Sequence, residues 1–163
     1  MSARAALARF KRDLLDLLDE TFIQHHGIYL DRGTSLFETL APITAVQASI
    51  PVGGECATLA AQVEHVRFYL DVLCDFLVSH ESVRVDWGEI WRTVGAVTPE
   101  QWDDCRARLR ASYERALALV QSFETWDGED DIGGALAILV HSAYHLGEIR
   151  QALCTLRQAA GAG

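Results

Sequence analysis

The sequence predicts an all-α fold, a four-helix bundle, from three observations. Four long segments repeat apolar residues at spacings of three and four, no segment shows the alternation of a strand, and two long connectors and one short one join the four. The 163 residues, half of them apolar and only three of them proline, match the size of one ordinary domain. Residues 1–163 are therefore read as a single unit with its own core.

The first helix is expected over about residues 3–22. Leu7, Phe10, Leu14, Leu17 and Leu18 mark its inner face, with Arg9, Lys11, Arg12, Asp13, Asp16 and Asp19 between them. A stretch of about thirty residues, 25–54, then crosses the domain; it holds Gly27, Gly33, Pro42, Pro51, Gly53 and Gly54. Inside it, Ser35 with Glu38 and Thr44 with Gln47 have capping-box spacing and predict two short helical turns on either side of Pro42.

The second long helix is expected over about 55–79. Leu59, Val63, Val66, Leu70, Leu73 and Leu77 form one stripe, and Thr58, Gln62, His65, Tyr69, Val72 and Phe76 lie beside it, which places His65 on the inner margin. Residues 80–97, with Trp87, Gly88, Trp91 and Gly95, are read as a connector. Trp87 and Trp91 can either seal one end of the bundle or line an entrance, and sealing is the expectation.

Thr98-Pro99-Glu100-Gln101 combines an N-cap, a proline at the first helical position and a capping-box glutamine, so the third helix starts at 99 and runs to about 123. Trp102, Cys105, Leu109, Ser112, Ala116, Val120 and Phe123 trace its inner face. A short acidic link ends at Asp130 or Asp131, either of which can N-cap the fourth helix, expected over about 131–156 with a frayed Ala/Gly tail. The shortness of that link predicts that the third and fourth helices pack antiparallel against each other.

Fourteen basic and 23 acidic residues leave a net charge of −9, which repels a phosphate backbone and argues against nucleic acid as a partner. No apolar run approaches the ~20 residues of a membrane-spanning helix. The acidic residues Asp13, Asp16, Asp19 and Glu20 interrupt any secretory or transit signal, so a cytoplasmic location is expected. Cys56, Cys74, Cys105 and Cys154 form no CxxC pair; they are read as reduced, small apolar residues at helix interfaces.

The chemistry concentrates in the fourth helix. His141 and His145 stand four apart, one above the other on a single face, and Ile138 and Ile149 continue that face toward the core. Six histidines scattered at random would give only about 0.2 such pairs. His65 offers a third nitrogen from another helix, and three imidazoles with open positions is the donor set of a catalytic divalent metal site. The plainer alternative is three core imidazoles satisfied by hydrogen bonds. His25, His26 and His80 are expected to be solvated or capping, and the acidic clusters to be solvated surface.

The string Ala61-Gln62-Val63-Glu64-His65-Val66, together with His141-x-x-x-His145-x-Gly147-x-Ile149-Arg150-Gln151, resembles the DinB/YfiT-like family over essentially the whole chain. The resemblance implies an up-down-down-up four-helix bundle, usually a homodimer, in which His65, His141 and His145 hold a divalent ion, nickel or zinc first and iron or manganese as alternatives. The sequence departs from the family where Glu148 follows Gly147 in place of glutamine. Glu148 is the candidate catalytic residue, as a fourth ligand or general base; its plainer reading is a helix carboxylate paired with Arg150 or a partner helix. Tyr69 and Tyr144 can hydrogen-bond near the site, and Tyr69 shares the face of His65 more closely.

Members resembling this chain include low-molecular-weight-thiol S-transferases and a thiol-dependent isomerase. The leading expectation is accordingly a metal-dependent enzyme acting on a small thiol and an electrophile. The alternative is a non-enzymatic metal-binding or dimerisation module, its ion tying the second and fourth helices together. A role in DNA repair is set aside on the charge.

Overall fold

The computed structural model describes residues 3–52 and 57–161, and every regular element among them is a helix. In chain order these are α1 (Ala3–Phe22), α2 (Leu36–Leu40), α3 (Ala45–Ala48), α4 (Leu59–Ser79), α5 (Glu89–Thr93), α6 (Pro99–Ser122) and α7 (Asp131–Gly161). The all-α class is as expected. No helix among the described residues is long and apolar enough to cross a membrane.

The helix starts follow their caps. Ser35 and Thr44 close capping boxes with Glu38 and Gln47 at the two short turns, and Thr98 does so with Gln101 at α6. Thr58 accepts a hydrogen bond from the Ala61 amide, so α4 begins at Leu59 rather than near 55; positions 53–56, Cys56 among them, lie outside the described residues. Asp131 is the first residue of α7, and its carboxylate accepts the Gly128 amide of the preceding link. The backbone of α7 stays helical to Gly161, beyond the expected end near 156. The tail bears Ala159 and Ala160, and alanine is the strongest helix former. The connector after α4 also contains a helical turn, α5, which the sequence reading did not place.

The long helices pack in a closed order. α4 lies against α6 and α7, and α1 lies against the same two. The expected direct packing of α6 against α7 is marginal at most: among the described residues each packs chiefly on α1 and α4. The link between them buries Trp126 against Phe10 and Phe123, so it crosses the end of the core instead of turning back tightly. Leu59, Val63, Val66, Leu70 and Leu77 of α4 are buried, as are Trp102, Cys105, Leu109, Ser112, Ala116 and Val120 of α6, and these were the stripes read from spacing.

A buried carboxylate terminates α1. Glu20 is fully inaccessible and accepts the backbone amides of His26, Gly27, Ile28, Tyr29 and Leu30. Burial pushes its pKa up, but the amides of Ile28, Leu30, His26 and Tyr29 outweigh that and hold it below the ordinary value. The chain can wrap this tightly because Gly27 takes a φ of 81°. This anchor fixes where the crossover leaves α1.

Cys74 and Cys105 are buried without a disulfide, and burial raises their thiols to about 11 and about 12. Both stay protonated at neutral pH and act as small core residues rather than nucleophiles. The acidic residues on α4 and α6 are engaged by arginine: Asp71 and Asp75 by Arg115, Asp103 by Arg106, and Asp104 by Arg108.

Candidate metal centre

α4 and α7 bring His65, His141 and His145 together. One nitrogen from each ring lies within 4.8 Å of the others, and the ring centroids are 5.1 Å (His65–His141), 4.7 Å (His65–His145) and 4.4 Å (His141–His145) apart. His65 sits at the margin of the Val63–Val66–Leu70 stripe. His141 and His145 occupy successive turns of the face whose Ile138 and Ile149 are fully buried. His65 and His145 are buried and His141 is half-buried. No other group of three or more potential ligands is found among the described residues.

Burial keeps these rings neutral. Burial first, and the neighbouring imidazoles second because two cations cannot share so small a space, lower His65 to about 4 and His141 to about 3. Burial also lowers His145, while Glu148 pulls it back up. Neutral imidazole is the ligand form, so no proton needs to leave at pH 7 before a metal enters.

The hydrogen bonds are unevenly distributed. His65 Nδ1 and His141 Nε2 are buried and have no partner, whereas buried polar atoms are almost always paired and cost about 1–3 kcal/mol when they are not. His145 is held on its outer side: Nδ1 lies 2.9 Å from Gln62 Oε1 and 2.8 Å from Glu148 Oε2. That leaves its Nε2 for the centre. An imidazole held through one nitrogen by a carboxylate while the other faces a metal is the usual orienting arrangement at metal sites. Three neutral imidazoles, two of them unsatisfied and one braced from behind, therefore fit a divalent ion. Tetrahedral zinc places its nitrogens about 3.3 Å apart, so small side-chain rotations would bring the rings onto an ion of that size. Three hydrogen-bonded core imidazoles is the poorer description, since two of the rings lack the bonds.

Glu148 lies behind His145 and is not among the converging donors. It pairs with His145 instead of Arg150, and the Tyr144 hydroxyl hydrogen-bonds to it, which raises the tyrosine's pKa. Tyr69 stacks on His141 with the centroids 3.4 Å apart and the planes 15° from parallel. Tyr144 is largely exposed, its ring 4.9 Å from that of His145. His26 pairs with Asp19, and His80 ends α4 in the left-handed region at φ 56°. Both lie away from the centre, as expected.

Two contributors carried no role at the histidines in the sequence reading. Gln62 precedes His65 by three residues on the same stripe, and that spacing was its signal. Trp91, read as sealing an end or lining an entrance, lies with its ring 4.5 Å from that of His65 and 6.5 Å from that of His145. Behind Glu148, an open cleft of about 490 Å³ is lined by Gln62, Tyr144, Gly147, Glu148, Gln151 and Thr155 among others. Comparison of the chain with protein-family models, curated proteins and solved structures finds no match.

Proposed function

We propose that the chain is a divalent-metal protein of the DinB/YfiT-like kind, an up-down-down-up four-helix bundle whose His65, His141 and His145 hold one ion, nickel or zinc. The observation that carries this reading is the pairing of two orphaned, buried imidazole nitrogens with a third imidazole braced from behind by Gln62 and Glu148. A three-imidazole set leaves coordination positions open, and the chemistry a divalent ion supplies there is Lewis-acid activation of a bound thiol or water. The activity we infer is transfer to or from a low-molecular-weight thiol. In it, His65, His141 and His145 bind, Glu148 and Gln62 orient His145, and Tyr69 holds the plane of His141. Glu148 is then a positioning residue that acts through His145.

The closed order in which α1 and α4 both face α6 and α7 supports the bundle topology. A homodimer is supported by the exposed apolar stripe Ile132, Leu136, Val140 and Tyr144 along α7. The absence of a membrane-spanning helix among the described residues is consistent with a cytoplasmic location.

A second reading has its own observation. The rings lie between α4 and α7 under an indole, so an ion there would tie two long helices together and add folding free energy without catalysis. Elemental analysis of tag-free protein purified without chelator tests the site: about one divalent ion per chain is expected, and none in folded His65→Ala, His141→Ala or His145→Ala. Metal-dependent acceleration of thiol addition to an electrophile then separates the enzyme from the structural module. A holo protein that melts far above the apo form yet accelerates nothing would favour the module.

A further inference from the structure

One side of the histidine cluster is shielded by a single side chain. His65 and His145 are only 7% and 5% exposed, whereas Trp91, whose ring lies over both, is 39% exposed. The indole thus stands between these imidazoles and solvent. Trp87 occupies an outer position: it packs on Phe68 at 5.8 Å and on Tyr69 at 5.5 Å, and reaches the histidines only through Tyr69. The two tryptophans are four residues apart in sequence but have different places relative to the centre.

Trp91 is also on a short element. α5 is a single turn of five residues. Its one buried residue is Ile90, and the turn packs against α4. Besides the ring contacts of Trp87 and Trp91, the turn is held by the solvent-exposed Asp86–Arg92 pair and by the Gly88 amide donating to Asp86. Exposed ion pairs contribute about 0–1 kcal/mol, and short elements with few buried contacts open well before the long helices that carry the ligands. Movement of α5 would draw Trp91 off His65 and His145.

We propose that Trp91 determines which ligands reach an ion held by His65, His141 and His145, and that it does so by size. A compact donor, such as a thiolate on an unbranched carbon, passes beside the indole; a donor carrying a ring waits for α5 to move. The proposal rests on the metal reading and specifies the access that reading needs.

Cobalt(II)-loaded protein supplies the test, because ligand exchange can be followed in its visible absorption without any enzymatic assay. Imidazole and 4-phenylimidazole present the same donor nitrogen with different bulk. Wild-type protein should bind imidazole at least tenfold faster than 4-phenylimidazole. Trp91→Ala should bring the two rates within about twofold, Trp91→Phe should restore most of the difference, and Trp87→Ala should leave it in place. Equal rates in the wild-type protein, or a difference that survives Trp91→Ala, would overturn the proposal while leaving the metal centre intact. Failure of the wild-type protein to take up cobalt at all would instead overturn the metal reading and this proposal with it.

Discussion

The carboxylate of Glu148 lies 2.8 Å from Nδ1 of His145, one helical turn back on α7, and is not among the donors that converge with His65 and His141. On the proposed metal reading, Glu148 orients a ligand without being one. Orienting partners of this type govern metal affinity by about 10–100-fold when removed. Glu148→Ala should weaken metal binding by that factor with helical content unchanged, and Glu148→Gln, which can still accept a hydrogen bond, should lose less. Competition against a chromophoric chelator measures both. Equal losses in the two variants would mean that the carboxylate's charge, and not its acceptor geometry, sustains His145.

His141 exposes the conflict between stability and binding. Its Nε2 is buried without a partner, and burial first, then His145 and His65, push its pKa down to about 3. In the unfolded chain the same group titrates near 6.5. Below that pH the unfolded state binds the proton and the folded state does not, so apo stability falls with acidification from about 6.5 downward. His65, lowered to about 4, adds to the same trend. His141→Leu removes an unsatisfied polar atom and should raise apo stability at pH 7 by about 1 kcal/mol. It should also flatten the loss between pH 7 and pH 5 and abolish metal uptake. Melting curves at the two pH values decide the matter; a leucine variant less stable than the apo protein would show that the imidazole is satisfied by solvent.

Most of the framework could be read from spacing because burial follows it directly. The α4 and α6 stripes, the three capping boxes and the facing of His141 and His145 toward Ile138 and Ile149 are local regularities, written every three or four residues. What escaped the reading depends on distant partners. Trp91 meets His65 from 26 positions away, and nothing in residues 80–97 marks which tryptophan points inward. Gln62 was on the correct stripe, yet its acceptor role appears only once α7 brings His145 to it, 83 residues later. The slightness of the α6–α7 packing was missed for a related reason: a short link limits distance but not direction, and burial of Trp126 turned this one across the core.

Glu20 was visible in the sequence only as a charge interrupting an apolar run, and its five backbone donors come from the following loop. Glu20→Gln keeps the shape but replaces an acceptor-only carboxylate with an amide whose NH₂ faces N–H donors. Loss of about 1–3 kcal/mol is expected. The sign with pH follows from a folded pKa held below the model-peptide 4.5. The stabilising contribution is complete above that value and disappears as pH falls through the lower, folded one. The gap in denaturant midpoint between wild type and variant should therefore be smaller at pH 3.5 than at pH 7. A constant gap would mean that the carboxylate is not the charged anchor of the 26–30 loop.

Two glycines of α7 should respond oppositely to the same substitution. A Cβ at Gly134 would lie 2.5 Å from Cδ2 and 3.0 Å from Cγ of Leu77, a buried side chain of α4, whereas a Cβ at Gly147 would meet nothing within 4 Å. Alanine is worth about 0.8–1.0 kcal/mol over glycine in a helix interior, and overpacking a filled site costs about 1–3 kcal/mol. Gly147→Ala should therefore raise the melting temperature. Gly134→Ala should leave it unchanged or lower it by the equivalent of up to about 2 kcal/mol, the difference between the two terms. Gly134 stands two turns before His141 on α7, and Leu77 stands three turns beyond His65 on α4. The close approach at this point fixes the spacing of the two ligand-bearing helices. Gly134→Ala should accordingly weaken metal affinity as well as stability, while Gly147→Ala affects stability alone. If both variants gained stability and kept full affinity, Leu77 would be free to swing aside, and the distance between His65 and His141 would have to be set elsewhere along α4 and α7.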